Sequence, residues 1–270
     1  MDSEPKAAPL ARPPDVAQRF VRLLDTVDRL RSPGGCPWDR AQTPRSLLPY
    51  FLEEVYEVIE SIEAERPQAL QEELGDVLLH VVFQARLAQE QGQFTIADCL
   101  QRVADKLVRR HPHVFGDAAA AGPAEARQRW ETAKQREKGR TSLLDGVPRQ
   151  LPALTRAQRV QEKAAAVGFD WERLEEVWAK VGEELAELRA ACDAGDAAAV
   201  AEEFGDLLFS LVNLARFLRL DAEGALRQAI AKFERRFRAI EAELARQGRR
   251  VDEASLAELD ALWERLRQQG

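Results

Sequence analysis

Carboxylates recur in this chain at a spacing that suits a hard cation. Glu53-Glu54-Val55-Tyr56-Glu57 is followed by Glu73-Leu74-Gly75-Asp76, and Glu183-Glu184-Leu185-Ala186-Glu187 by Glu203-Phe204-Gly205-Asp206. The step from Glu54 to Glu73 is nineteen residues, and so is the step from Glu184 to Glu203. Residues three apart on a helix lie about 60° apart around its axis and share a face. Glu54 with Glu57, and Glu73 with Asp76, therefore point together, as do Glu184 with Glu187 and Glu203 with Asp206. Four such charges in one partly buried place repel one another unless cations neutralise them. An all-oxygen donor set favours Mg²⁺, with Mn²⁺ as the alternative, over zinc or copper. A single ExxE is more often a solvated glutamate face, since Glu is a good helix former. Paired motifs with apolar flanks, occurring twice, argue against that reading here.

Basic and aromatic residues extend the pattern. Lys232, Arg235 and Arg236 lie on one expected helix, with Lys232 and Arg236 four apart and on one face. Facing a magnesium site they would suit a polyphosphate; otherwise they form a solvated basic face. Lys180, one turn before Glu184, can also reach a phosphate. Trp171 and Trp263 either stack on a base or plug the core. His80 fits packing near the acids better than ligation. No phosphate-binding Gly loop, nucleophile elbow or Ser/His/Asp arrangement stands out.

The elements that must carry these residues are helices. Apolar residues at helical spacing mark Val16–Leu30, Leu47 to Ile62, Pro67 to Gln91, and Thr95 to Arg110, with Thr95 as N-cap and Pro112 as stop. A second series runs over Leu154–Val167, Trp171–Ala191, Asp196–Leu218, Ala222–Gln247 and Ser255–Leu266. Strand-type alternation is nearly absent, so the fold class is all-α. A loop of roughly ten residues between the acidic helices would let them pack antiparallel. Gly75 and Gly205, interior to their helices at a cost of about 1 kcal/mol each, imply close backbone packing beside the acids.

The two series are copies. Glu73–Leu87 and Glu203–Phe217 are identical at seven of fifteen positions. Lys106-Leu-Val-Arg109-Arg110 echoes Lys232-Phe-Glu-Arg235-Arg236, and Cys36-Pro-Trp38-Asp39 sits where Phe169-Asp170-Trp171 sits. Internal repetition of this kind sets the domain count at two. The expected organisation is a disordered tail (1–14), an N-terminal domain (15–116), a connector with one charged helix (117–150, the helix at Glu125–Lys138) and a C-terminal domain (151–270). The copies differ at one telling place: Lys180, four before Glu184, corresponds to Tyr50, four before Glu54.

Composition bounds the rest. A net charge of −7, with 45% hydrophobic and 31% charged residues, describes a soluble chain. It argues against bulk binding to nucleic acid or an anionic membrane. It does not exclude a nucleotide, since a metal inverts the local field. Cys36, Cys99 and Cys192 form no CxxC and read as reduced thiols in a cytoplasmic protein.

Taken in order, these segments resemble the MazG family, nucleoside triphosphate pyrophosphohydrolases of the all-α NTP pyrophosphatase superfamily. The matching stretches are Cys36-Pro-Trp-Asp39, the two acidic sets, Arg109-Arg-His-Pro-His-Val-Phe-Gly116, Val167-Gly-Phe-Asp-Trp171 and Lys232-Phe-Glu-Arg-Arg-Phe237. The resemblance implies tandem helical domains with four-helix-bundle-type metal sites completed by homodimerisation. It implies Mg²⁺-dependent cleavage of many nucleoside triphosphates, normal and aberrant, between the α and β phosphates, giving a monophosphate and pyrophosphate. A house-cleaning role in nucleotide pools follows from the same likeness. By position, Glu184, Glu187, Glu203 and Asp206 would bind metal and Glu183 would orient or deprotonate the attacking water. Lys180, Lys232, Arg235 and Arg236 would bind phosphates, with Trp263 near the nucleotide. In the first copy, Glu54, Glu57, Glu73 and Asp76 would bind metal, with Glu53 matching Glu183 and Lys106 and Arg110 opposite. The rival is a non-catalytic helical module that binds nucleotides or a partner through its basic helix. A di-iron carboxylate bundle needs ExxH where this chain has ExxD.

Overall fold

The computed structural model describes residues 15–116, 122, 125–126, 129–130 and 142–267. The tail expected at 1–14 and most of the charged helix expected at Glu125–Lys138 lie outside the described residues. Among the described residues all regular structure is helical. The chain divides into two compact units, Met1–Ala126 and Arg127–Gly270.

The first unit holds α1 (Val16–Arg31), α2 (Pro37–Ala41), α3 (Leu48–Glu63), α4 (Pro67–Glu90), α5 (Ile96–Arg110) and α6 (Pro112–Phe115). Local rules set these bounds. Proline opens α2, α3, α4 and α6 within the first two helical positions, where its missing N–H costs nothing. Thr95 caps α5 as its pattern predicted: its hydroxyl accepts from the Asp98 backbone N–H, and the Asp98 carboxylate accepts from the Thr95 N–H at 2.7 Å. Pro112 does stop α5, but it also starts the short α6, which the periodicity did not reveal. α3 and α4 lie against each other, and α1 crosses α4. Their shared core is Val27, Leu47, Val82, Phe83 and Leu87, with Phe20, Leu23, Leu24 and Leu79 around it.

The second unit holds α7 (Ala153–Ala165), α8 (Leu174–Ala194), α9 (Ala197–Phe217), α10 (Ala222–Arg246), a 3₁₀ turn (Val251–Glu253) and α11 (Leu256–Arg267). Asp196 caps α9 through the N–H groups of Ala198 and Ala199, and Asp221 caps α10 through that of Glu223. α8 lies against α9, α7 packs on both α9 and α10, and α10 meets α11. Val177, Val212, Leu214, Ile240 and Leu244 are its buried apolar residues.

Two expectations need correction. The acidic helices are not joined by a loop of about ten residues. Only Ala64–Arg66 separate α3 from α4, and only Gly195–Asp196 separate α8 from α9. Both helices run further than their acidic motifs, and the chain reverses in a tight left-handed turn, at Glu65 (φ 53°) and at Gly195 (φ 71°). Nor do Gly75 and Gly205 lie against another backbone: a Cβ on either would meet nothing within 4 Å. The faces they occupy are exposed, and the helices carrying them are covered chiefly along their C-terminal halves.

Candidate active site

Each pair of antiparallel acidic helices brings its carboxylates together. In the first unit Glu54 and Glu57 of α3 and Glu73 of α4 place ligand-type oxygens within 4.8 Å of one another. In the second unit Glu184 and Glu187 of α8 and Glu203 of α9 do the same. The two clusters differ in depth. Glu184 is 6% exposed, whereas Glu54 is half-buried. Asp76 and Asp206 stand just outside these triads, yet close enough to act on them electrostatically. Glu53 and Glu183 are exposed beside their clusters.

The electrostatics are those of anions without enough cations. Loss of hydration raises the Glu54 carboxyl above its ordinary value, and repulsion from Asp76, Glu57 and Glu53 adds to it. Glu73 is raised by lost hydration, by the Glu57 charge and by a hydrogen bond with Glu57. Glu203 is raised by lost hydration, then by Glu187, Glu184 and Asp206. An arrangement in which carboxylates resist ionising together, with oxygen donors only, fits a hard divalent cation.

One cation does reach the second cluster. The Lys180 ammonium donates to Glu183 at 2.8 Å and pairs with Glu184 at 2.7 Å. Its hydrogen bonds to Glu183 and then Glu184 raise it well above the usual lysine value. Tyr50, at the matching place in the first unit, instead meets Trp38 edge-on at 6.0 Å.

The other basic residues are gathered elsewhere. Lys232 and Arg235 are exposed on α10. The Arg236 guanidinium lies over the Trp263 ring at 5.6 Å, and Phe233 packs on that ring at 5.2 Å. Trp263 is thus a partner of the basic helix. The charges that raise Glu203 are those of neighbouring acids on α8 and α9. In the first unit Lys106 is half-buried, and Arg110 is 4% exposed. His80 packs on Phe51 at 5.7 Å, and burial lowers its pKa, with Asp76 opposing. It is a packed neighbour of the acids, as expected.

Spacing alone did not disclose a cavity of about 760 Å³ that opens from the second acidic cluster. Glu184, Asp206 and Lys180 are among the residues that line it. Leu143, Val160, Val177 and Phe209 form its apolar walls, and Phe169 and Trp171 stand exposed along its rim. Its size lies within the roughly 300–1,000 Å³ range of small-ligand sites. Polar groups interrupt the apolar lining at Gln161, Ser210, Asn213 and Arg216. Arg216 donates to Asp170 through both terminal nitrogens, and its Nε and Nη2 donate to Asn213 Oδ1 at 3.0 and 2.7 Å. The signal that could have found Asn213 is a carboxamide inside the apolar run Leu211-Val212-Asn213-Leu214. Its counterpart in the first copy is Phe83, which lies in the core with the Arg31 guanidinium 5.4 Å over its ring.

Comparison with known proteins agrees with the duplicated geometry. The family model described as the MazG nucleotide pyrophosphohydrolase domain matches residues 42–115 and again 173–240. The chain is 47% identical over 248 residues to the nucleoside triphosphate pyrophosphohydrolase/pyrophosphatase MazG of Thermotoga maritima, covering 91% of this chain and 94% of that protein. It is 47% identical over 254 residues to the nucleoside triphosphate pyrophosphohydrolase of Escherichia coli K12, covering 92% and 97%. A nucleoside triphosphate pyrophosphohydrolase of Mycobacterium tuberculosis is 41% identical over 167 residues, covering 60% of this chain and half of its own length.

Proposed function

Since the chain belongs to the MazG nucleotide pyrophosphohydrolase family, we propose that it hydrolyses a broad range of nucleoside triphosphates between the α and β phosphates, with Mg²⁺, to a monophosphate and pyrophosphate. It is an enzyme, a hydrolase of phosphoric anhydrides. The observation that carries the finer reading is the junction of a carboxylate triad with a nucleoside-sized apolar cavity at Glu184, Asp206 and Lys180. Such a junction has a place for each end of a nucleotide, with the triphosphate at the acids and the base among the apolar walls.

Glu184, Glu187, Glu203 and Asp206 would hold the metal. Bound there, Mg²⁺ supplies positive charge against the triphosphate and a lowered pKa for water. Glu183, exposed at the edge of the cluster, takes the proton of the attacking water. The water oxygen adds to one phosphorus of the α–β anhydride, and the bridging P–O bond breaks to release pyrophosphate. Lys180, held at the same place by Glu183 and Glu184, is positioned to donate to a phosphate oxygen once other cations neutralise those carboxylates. Lys232, Arg235 and Arg236 on α10 are the further candidates for binding phosphates, with Trp263 holding Arg236 through its ring face. No covalent intermediate is required.

Glu54, Glu57, Glu73 and Asp76, with Glu53 beside them, form the equivalent metal site of the first unit, with Lys106 as its candidate cation. Tyr50 replaces the lysine there, and Phe83 fills the position that borders the cavity in the second unit. The C-terminal unit is therefore the principal catalyst, and the N-terminal unit is slower, differently selective or chiefly structural. A homodimer completes the bundles: Leu74, Leu78 and Val81 on α4, and Phe204, Leu208 and Leu211 on α9, are all exposed beside the open Gly75 and Gly205 positions.

The deciding experiment is product identification after incubation with mixed nucleoside triphosphates and Mg²⁺. Monophosphate plus pyrophosphate, abolished by EDTA, is the expected result. Diphosphate plus orthophosphate would refute the assigned cleavage position. Nucleotide binding without turnover would favour a binding module.

A further inference from the structure

We propose that Gln161 and Asn213 together read the hydrogen-bonding edge of the substrate's base, one as acceptor and the other as donor. The inference rests on the reading of the cavity as the nucleoside site. Three observations carry it.

Asn213 has no freedom to choose which end it presents. Arginine offers donors only, so the two Arg216 N–H groups at 3.0 and 2.7 Å fix Oδ1 toward the guanidinium. Asp170 in turn holds that guanidinium from the other side. The Nδ2 amide of Asn213 is left as the donor, without a protein partner among the described residues. Arg216 and Asp170 are thus positioning residues for a carboxamide on the cavity wall.

Gln161 presents the opposite polarity. It is 7% exposed, lines the cavity from α7, and its Nε2 donates to the Phe209 carbonyl at 2.8 Å. Its Oε1 is buried without a partner. A buried orphan acceptor is costly, and its persistence in a ligand cavity points to a donor arriving with the ligand. Finally, the two carboxamides are neighbours. Phe209, where Gln161 is anchored, lies four residues, about 6 Å of helix rise, before Asn213 on α9. A free donor and a free acceptor among the residues lining one cavity suit the paired acceptor and donor that each nucleobase carries on its edge. Such a pair is base-tolerant, yet demands a base.

The test compares ATP with purine riboside triphosphate, which lacks the exocyclic amine, and uses inorganic tripolyphosphate as an inhibitor that reports the phosphate end alone. Wild-type kcat/KM should fall roughly tenfold from ATP to the amine-free analogue, the equivalent of about 1.4 kcal/mol. Gln161→Leu should bring the two substrates to parity. Asn213→Asp keeps an acceptor for Arg216 and the fold while deleting the donor. It should lower kcat/KM for both nucleotides roughly tenfold, with the inhibition constant of tripolyphosphate unchanged. Equal wild-type kcat/KM for the two nucleotides, or an Asn213→Asp variant matching wild type on ATP, overturns the proposal. If wild type releases no monophosphate or pyrophosphate, the proposed reaction fails instead. The same comparisons read as nucleotide Kd would then still decide the base contact.

Discussion

At the scale of single residues, the duplicated acids look interchangeable, and their surroundings say otherwise. Glu184 is buried, touches Lys180 and borders a cavity, whereas Glu54 is half-buried and lies four residues beyond a tyrosine. Removing a proposed ligand from the second cluster should cost far more than removing one from the first. Glu184→Ala is expected to lower kcat by about 10³-fold or more, the scale of losing a main electrostatic stabiliser. Glu54→Ala is expected to leave most of the turnover. Equal losses in steady-state kinetics would refute the ranking of the two units. The carboxylate repulsion also makes a prediction that activity does not enter. Glu203 is raised by lost hydration and by four neighbouring acids, so its charge opposes folding in the metal-free protein. Glu203→Gln should therefore melt above wild type in EDTA. In millimolar Mg²⁺ the order should reverse, because wild type gains ligand stabilisation that the variant cannot. A variant that melts below wild type in both conditions would contradict a metal role for this cluster.

At the scale of elements, what the amino-acid pattern revealed depended on whether the cause was local. The Thr95 cap, the proline starts and the apolar spacing of α3, α4, α8 and α9 act within a turn or two, and the helices follow them. The clustering of Glu54 with Glu57 and of Glu184 with Glu187 was legible for the same reason, since i and i+3 fix a shared face. The cavity was not, because it is assembled from the Leu143–Leu144 turn, α7, the Phe169–Trp171 segment, α8 and α9, whose lining residues are spread over some seventy positions from Leu143 to Arg216. The interior glycines misled because a small residue marks room for a neighbour without showing that the same chain supplies it. Local caps also yield a pH prediction. Glu258 caps the start of α11 through the Ser255 N–H and pairs with Arg249 at 3.1 Å. The Arg249 hydrogen bond, then those from Ser255, bring its carboxyl down to about 2 from an ordinary 4.5. A depressed folded value means stabilisation that is fully present above 4.5 and lost as pH falls through about 2. A carboxyl NMR titration should find a midpoint near 2, and Glu258→Gln should be less stable than wild type at pH 7, with the gap closing in acid. A midpoint near 4.5 would show that the Arg249 contact does not form. Because α11 carries Trp263, loosening this cap should also free Arg236 from its ring contact.

At the scale of the whole molecule, the question is how two small units can expose so much apolar surface. Among α4 residues Leu74, Leu78 and Val81 are 51%, 40% and 41% exposed, and on α9 Phe204, Leu208 and Leu211 are 52%, 40% and 41% exposed. Clusters of this kind are unusual on a monomer and mark interaction faces. They occur on the same helices, in the same registers, in both copies, so one explanation must serve both. Random surface drift would not preserve it across a duplication that changed Lys180 to Tyr50 and Asn213 to Phe83. Each face also runs past a glycine with nothing within 4 Å of its missing side chain, which permits a helix of another subunit to approach closely. Self-association satisfies both copies at once, because a symmetric pair buries each patch against its own counterpart. Light scattering should thus give twice the 30.3 kDa chain mass at micromolar concentration. Leu208→Glu would place an unpaired charge in the C-terminal face. It should weaken association by at least 30-fold, or about 2 kcal/mol, and turnover should become dependent on protein concentration. A wild-type mass of one chain under those conditions would leave the exposed faces without this explanation. A monomeric Leu208→Glu variant with undiminished turnover would instead separate assembly from catalysis and confine the working site to a single chain.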